Sequence, residues 1–375
     1  MTAAVRPLIV ALDAEHTRQS DAGVARYARN LAAELRKRDD VSVVELGGGH
    51  VATRGTVAKR AITLRQDFTW YPWLGRRHAA ASGADVYHIP IPRGPMQHGV
   101  LPLVVTVHDL VPLLFPETMT PWSRIHSRLT LRRVLDAADR IITPSQNTAN
   151  DLASLLRVSA DRIRVVHNGV DDFFFAGSAS AEGGPGRERP DAGSSPASAR
   201  LAAVLSNPYV LFVGTPEPRK NLHRLEAAMS LLRQRGFAEH LVTVGGNGWG
   251  AANAEGRDAA CVHRLGRVSD ADLRTLYANS SCLALPSLHE GFGLTALEAM
   301  AAGTPVVAAS VGALPEVTGG AAIMVDPRDT GDIADGIARC ISDRGQHVAA
   351  GLERASHFRW AAAASATVAV YRELI

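Results

Sequence analysis

Two doubly wound α/β domains are what this sequence predicts, on three observations. Short apolar runs rich in Val, Ile and Leu alternate with longer helix-forming segments through both halves of the chain. Apolar residues are 46% of the chain and aromatics only 5% of it, which suits cores built from Ala, Val and Leu. A stretch without large apolar residues, Gly177 to Arg200, separates the halves. The 375 residues suffice for two full cores. The expected division is a first domain over 1–175, a flexible Gly/Ser/Pro/Ala-rich linker over 176–207, a second domain over 208–355 and a terminal helix over 356–375.

In the first half, Pro7 to Leu12 reads as a buried strand, followed by a polar loop and then Gly23 at the start of a helix from about Val24 to Arg38. Val41 to Leu46 is the second strand. Residues 53–78 carry Arg54, Lys59, Arg60, Arg65, Arg76 and Arg77 against the single acid Asp67, interleaved with Phe68, Trp70, Tyr71 and Trp73. That mixture suits peripheral contact with an anionic membrane, and it equally suits a helix pair with a solvated basic face. No nucleic-acid motif accompanies it. Asp85 to Pro90 and Leu103 to Val107 are strands, and His108-Asp109 follows at the carboxyl end of the latter. Ligands of open α/β sheets bind at such ends, although a structural hydrogen bond would also explain the histidine. Trp122 to Asp139 is a helix, and Ser145 caps the next one.

The second half restarts with the strand Tyr209 to Val213. Gly214-Thr215-Pro216-Glu217-Pro218-Arg219-Lys220-Asn221 follows. A glycine turn leading to two adjacent cations at a helix start is a phosphate-binding arrangement. The cations oppose the helix dipole there, and that local conflict points to a bound anion. Lys220 is one of only three lysines, with Lys37 and Lys59. Leu241 to Val244 and Val262 to Leu265 are strands. Gly245-Gly246-Asn247-Gly248 between them lacks dinucleotide-fingerprint spacing and reads as a turn.

The stretch from Pro286 to Glu316 is the most informative. Glu290 precedes Gly291, Phe292 and Gly293, and a helix rich in Ala, Leu, Glu and Met runs from Leu294 through Thr295 and Glu298 to Ala302. Glycines before a helix start let backbone N–H groups approach a ligand, and the helix N-terminus favours an anion. Gly303-Thr304-Pro305 ends the helix and Val306 to Ala309 is a buried strand.

This stretch resembles the E-x7-E region of retaining GT-B glycosyltransferases of family 4. The resemblance extends along nearly the whole chain. G-V-A-R-Y at Gly23 is similar to the family's first loop, near donor phosphates and acceptor. His108 is similar to a histidine near the donor sugar, and Gly214 to Asn221 resembles the diphosphate-binding loop. There the chain departs from many members, with Thr215 where an arginine follows the glycine. Gly266-Arg267-Val268 resembles the strand end where backbone groups meet the nucleobase. The resemblance implies two Rossmann-like domains facing across a cleft, with the terminal helix crossing back to the first.

The activity so implied is hexosyl transfer from a nucleotide-diphosphate sugar to a saccharide or lipid-linked acceptor. Arg219, Lys220 and the N–H groups after Glu290 would stabilise the leaving diphosphate without a metal or other cofactor. Glu290 would hold sugar hydroxyls, Glu298 the ribose, and His108 the donor sugar. E-P-R-K-N-L and H-D-L-V-P-L-L-F-P-E look most like mannosyltransferases of polysaccharide and O-antigen assembly, which makes GDP-mannose the expected donor. A UDP- or ADP-sugar transferase and a sugar-nucleotide epimerase are the enzyme alternatives. A phosphorylase would need a pyridoxal phosphate lysine, and only Lys220 lies near any site. A sugar-nucleotide-binding scaffold is the non-enzyme alternative, which the presence of Glu290 and His108 disfavours.

Cys261, Cys282 and Cys340 show no metal or disulfide spacing. Asp13 and Glu15 interrupt the first apolar run, and Leu101 to Phe115 contains Pro102, His108, Asp109 and Pro112. Neither a signal peptide nor a membrane span is expected, so the location expected is cytoplasmic, extending to the inner face of the plasma membrane.

Overall fold

A computed structural model describes residues 6–18, 23–47, 56–118, 121–175, 196–246 and 261–375. The chain forms two compact units, 1–169 with 360–375 and 170–359.

The first unit holds β1 (Leu8–Asp13), β2 (Val41–Leu46), β3 (Val86–Ile89), β4 (Leu103–Thr106), β5 (Arg140–Thr143) and β6 (Ile163–Val165). They pair in parallel in the order β2-β1-β3-β4-β5-β6. Parallel strands need crossovers, and helices on both faces supply them. Val10, Val86 and Val104 therefore pack in one apolar cluster, while Ala11, Tyr87, Leu103 and Val105 pack in the other. The terminal helix Trp360–Arg372 belongs to this unit, where Trp360, Val368 and Tyr371 pack with Tyr27, Leu31 and Leu35 of the helix Gly23–Arg36.

The second unit holds β7 (Tyr209–Val213), β8 (His240–Val244), β9 (Val262–Gly266), β10 (Cys282–Leu285), β11 (Val306–Ala309) and β12 (Ile323–Val325). Their order is β12-β11-β10-β7-β8-β9, again parallel. Side chains alternate here too, with Leu211 and Leu283 on one face and Val210, Phe212, Cys282 and Ala284 on the other.

Three boundaries differ from those expected. The units divide after Gly169 rather than 175, because Val170, Phe173 and Phe174 are buried in the core of the second unit. The expected linker ends in a helix, Pro196–Leu205, whose Val204 is 3% exposed against that same core. Its run of Ala, Leu and Arg favours a helix despite the bland composition preceding it. Residues 176–195 lie outside the described residues. The terminal helix starts at Trp360 rather than 356, since Ser356 closes the preceding helix Arg344–Ser356 of the second unit. Among the described residues no helix is long and apolar enough to cross a membrane.

Candidate active site

In the second unit the chain leaves β7 for β8 on one side and later returns to β10 on the other. The strand order thus reverses between β7 and β10, and a doubly wound sheet opens a crevice at the carboxyl ends flanking such a point. The loop after β7 is Gly214 to Asn221, and the loop after β10 is Pro286 to Gly293. Both expected site segments therefore meet there, joined by a hydrogen bond from Leu288 N–H to the Arg219 carbonyl at 2.8 Å.

Glu290 is the centre of the charge arrangement. It is 9% exposed. Lys220 Nζ donates to its Oε1 at 2.6 Å, Ser287 Oγ to the same oxygen at 2.7 Å, and Arg219 Nη1 to Oε2 at 3.2 Å. Arg219 Nη1 also donates to the His289 carbonyl at 2.5 Å, and its Nη2 pairs with Glu217. Burial pushes the Glu290 carboxyl up, but Lys220, then Arg219, outweigh it and hold its pKa at about 2. The sequence suggested that Arg219 and Lys220 opposed a helix dipole, a conflict pointing to a bound anion. Instead they lie on the short turn Pro218–Lys220, and Glu217 and Glu290 compensate them. An ammonium carries three donors, and Glu290 is the Lys220 partner among the described residues.

Asn221 fixes this loop, and sequence reasoning passed over it. Its backbone is left-handed at φ 60°, a conformation Asn tolerates better than most residues. Its buried amide donates to the carbonyls of Pro286 at 2.9 Å and Pro327 at 2.6 Å, tying the two site loops and the end of β12 together. The available signal was an Asn between a cationic turn and a Leu-rich helix. Ser287, which donates to Glu290, was also missed, since a serine three residues before a glutamate in a loop carries no distinguishing pattern.

The helix Leu294–Ala301 starts at Gly293, whose φ of 103° suits glycine. A side chain at Gly312, φ 63°, would lie 2.8 Å from the Glu290 carbonyl oxygen, so this second glycine lets the loop after β11 close on Glu290. Ala313 N–H donates to that carbonyl at 2.9 Å. Gly291 is buried, and Leu294 and Thr295 are half-buried at the helix start. Phe292 turns its ring into the core against Phe358, at 5.9 Å between centroids. Glu298 is buried on the same helix, where Tyr277 donates to its Oε2 at 3.1 Å. Gly214 follows β7, and a Cβ there would meet Lys220 Cε at 3.5 Å. Val268 is half-buried after β9, just before Ser269, which caps the helix Asp270–Asn279.

His108 and Gly23 belong to the first unit. Gly23 starts the helix Gly23–Arg36 with open space where a Cβ would stand, while Asp21 and Ala22 lie outside the described residues. His108 lies two residues beyond β4, and its Nε2 bonds the Pro90 carbonyl at 3.0 Å. A carbonyl only accepts, so Nε2 carries the proton and neutral His108 presents Nδ1 as an acceptor. Burial lowers its pKa against the pull of the Pro90 hydrogen bond and Asp109.

The basic aromatic stretch is split by the fold. Trp70 and Tyr71 are core residues, and Asp67 is buried, accepting from Arg93 at 3.0 Å and Trp122 Nε1 at 3.1 Å. Phe68 and Trp73 face outward at 62% and 65% exposure. Residues 53–55 lie outside the described residues.

Paired charges on the two loops that flank the strand-order reversal place a candidate ligand site where doubly wound α/β proteins carry theirs, and comparison with known proteins narrows the class. The model of Glycosyltransferase Family 4 matches residues 22–172, and that of Glycosyl transferases group 1 matches residues 207–343. O-antigen chain mannosyltransferase B of Escherichia coli is 31% identical over 299 residues, covering 77% of this chain and 74% of that one. D-inositol 3-phosphate glycosyltransferase of Kribbella flavida is 33% identical over 298 residues, covering 72% of this chain and 66% of that one. Sucrose-phosphate synthase from Thermosynechococcus elongatus superposes with a TM-score of 0.71 at 21% identity, over 98% of this chain and 99% of that one. The fold is GT-B. The chain belongs to the family 4, group 1 glycosyltransferases and is a glycosyltransferase.

Proposed function

We propose that this glycosyltransferase moves mannose from GDP-mannose to a saccharide or lipid-linked acceptor with retention of the anomeric configuration, and that it needs no metal. The convergence of Arg219, Lys220 and Glu290 with a glycine-bounded helix start carries the reading. As the C1–O bond breaks, its electron pair moves to the β-phosphate oxygen. Fixed cations and backbone N–H groups are suited to that developing charge. The acceptor oxygen bonds to C1 on the same face, and its proton passes to the departing phosphate oxygen. Glu290 orients sugar hydroxyls, Glu298 holds the ribose, Val268 offers backbone groups to the base, and His108 accepts through Nδ1 from a donor-sugar hydroxyl. In this reading Arg219, Lys220 and backbone N–H groups, rather than a metal, meet the charge of the leaving diphosphate. The choice of mannose is supported by the likeness to the mannosyltransferase from Escherichia coli. Turnover assays in excess EDTA with GDP-mannose, UDP-glucose and ADP-glucose test it. GDP-mannose alone is expected to be consumed, giving an α-linked product. Turnover only on adding Mg2+ or Mn2+, or preference for another donor, contradicts it.

A lipid-linked acceptor fits the outer surface of the first unit. Leu64, Phe68, Trp73, Trp122, Ile125 and Leu129 are all exposed, and the Phe68 and Trp122 rings lie 6.0 Å apart. Trp122, Ile125 and Leu129 share one face of the helix Pro121–Ala137, flanked by exposed Arg124 and Arg128. This is the composition of a peripheral anionic-membrane contact. The wild type should sediment with vesicles containing phosphatidylglycerol and not with pure phosphatidylcholine, and Trp73→Ser with Leu129→Ser should weaken that about tenfold. Equal sedimentation of variant and wild type removes the membrane from the account.

A further inference from the structure

A chain of buried polar groups leads from the terminal helix to His108. Tyr371 OH bonds His88 Nδ1 at 2.6 Å, His88 Nε2 bonds Thr106 Oγ1 at 2.8 Å, and Thr106 Oγ1 bonds Tyr27 OH at 3.2 Å. The Tyr27 ring then meets the His108 ring edge to face, with centroids 4.8 Å apart. Tyr371 and His88 are fully buried, Thr106 and Tyr27 nearly so. A buried polar network that is completely bonded specifies one arrangement, and one that loses a member leaves an unpaired group at a cost.

The members are placed where His108 is supported. His88 lies in β3, two residues before Pro90, whose carbonyl accepts from His108. Thr106 ends β4, two residues before His108 itself. Bonding His88 to Thr106 therefore locks together the two strand ends that set the imidazole, while Tyr27 packs on its ring. Burial drives the His88 pKa down to about 3, with the nearby His108 adding to the shift. His88 is then neutral throughout the working pH range, so its single ring proton can serve only one of its two neighbours. Tyr371 must complete the set from a helix that reaches this unit only after the chain has built the second one.

We propose that Tyr371, His88, Thr106 and Tyr27 are positioning residues for His108, through which the terminal helix sets the sugar-facing atom of the site. This rests on the reading of His108 as a donor-sugar contact. Misplacing a catalytic contact by a fraction of an ångström lowers turnover without removing binding energy supplied elsewhere. Tyr371→Phe keeps the buried ring and deletes the hydrogen bond.

The test is a double-mutant cycle of Tyr371→Phe and His108→Ala, with thermal melts confirming that each variant is folded at the assay temperature. Tyr371→Phe should lower kcat about tenfold, with the donor KM and GDP affinity within about twofold of wild type. In the His108→Ala background the same change should alter kcat less than about twofold, because the group it positions is gone. Thr106→Ser should stay near wild type and Thr106→Val should behave like Tyr371→Phe. A Tyr371→Phe enzyme with wild-type kcat overturns the proposal, as does a full tenfold loss added to that of an impaired His108→Ala. A fully active His108→Ala enzyme removes the reading of His108, and the proposal with it.

Discussion

Glu290→Gln should lower kcat about 100-fold or more while leaving GDP binding unchanged or tighter. The substitution keeps the size and the Ser287 contact but removes the charge that Lys220 and Arg219 hold. In the proposed reading, contacts from this side chain to the sugar strengthen as the ring gains positive character, so their loss falls on the transition state. Product affinity moves the other way, because both cations lose part of their counter-charge and meet the diphosphate less compensated. Glu298→Gln should differ. Its carboxylate sits inside the helix Leu294–Ala301, bonded to Tyr277 and away from the reacting carbon in the proposed reading, so it should mainly raise the donor KM. Steady-state kinetics on both variants, with melting temperatures checked, decide the matter. A Glu298→Gln enzyme losing kcat at unchanged KM, beside a near-normal Glu290→Gln, would show the roles reversed. Stability gives an independent check. The Glu290 pKa in the fold lies below its ordinary 4.5, so its contribution is complete above pH 4.5 and is lost as pH falls through about 2. The Gln variant should show a flatter stability profile across that window.

Much of the fold was legible because buried parallel strands are short apolar runs, and Tyr209 to Val213 or Val306 to Ala309 admit few other readings. The helix Pro196–Leu205 was hidden by the Gly, Ser and Pro residues before it, and its anchor, Val204, gains meaning only from the core it meets. In the site, the glycines and charges stood out, but their pairing did not. Arg219 and Glu290 are 71 residues apart and meet because β7 and β10 are neighbours, which depends on strand order rather than on sequence order. The same limit hid the link between His88 and Tyr371, 283 residues apart. Phe292 stands between the two glycines in sequence, yet its ring packs in the core against Phe358, a partner 66 residues away that only the fold brings to it.

The central claim is that Lys220 holds the donor diphosphate. Its side chain reaches Glu290 at 2.6 Å, and an ammonium has further donors for an anion. A charge-assisted hydrogen bond contributes roughly 1.5–3 kcal/mol, so its loss should weaken diphosphate binding about 10- to 100-fold. Lys220→Ala leaves Arg219 to hold Glu290, and the nucleoside contacts proposed at Val268 and Glu298 are on other loops and helices, so guanosine should be indifferent to the change. Calorimetric titration of GDP and of guanosine into wild type and Lys220→Ala measures this directly. The account predicts a 10- to 100-fold loss for GDP, on the order of one such bond, with guanosine unaltered. Equal weakening of both ligands, or unchanged GDP affinity, would contradict it.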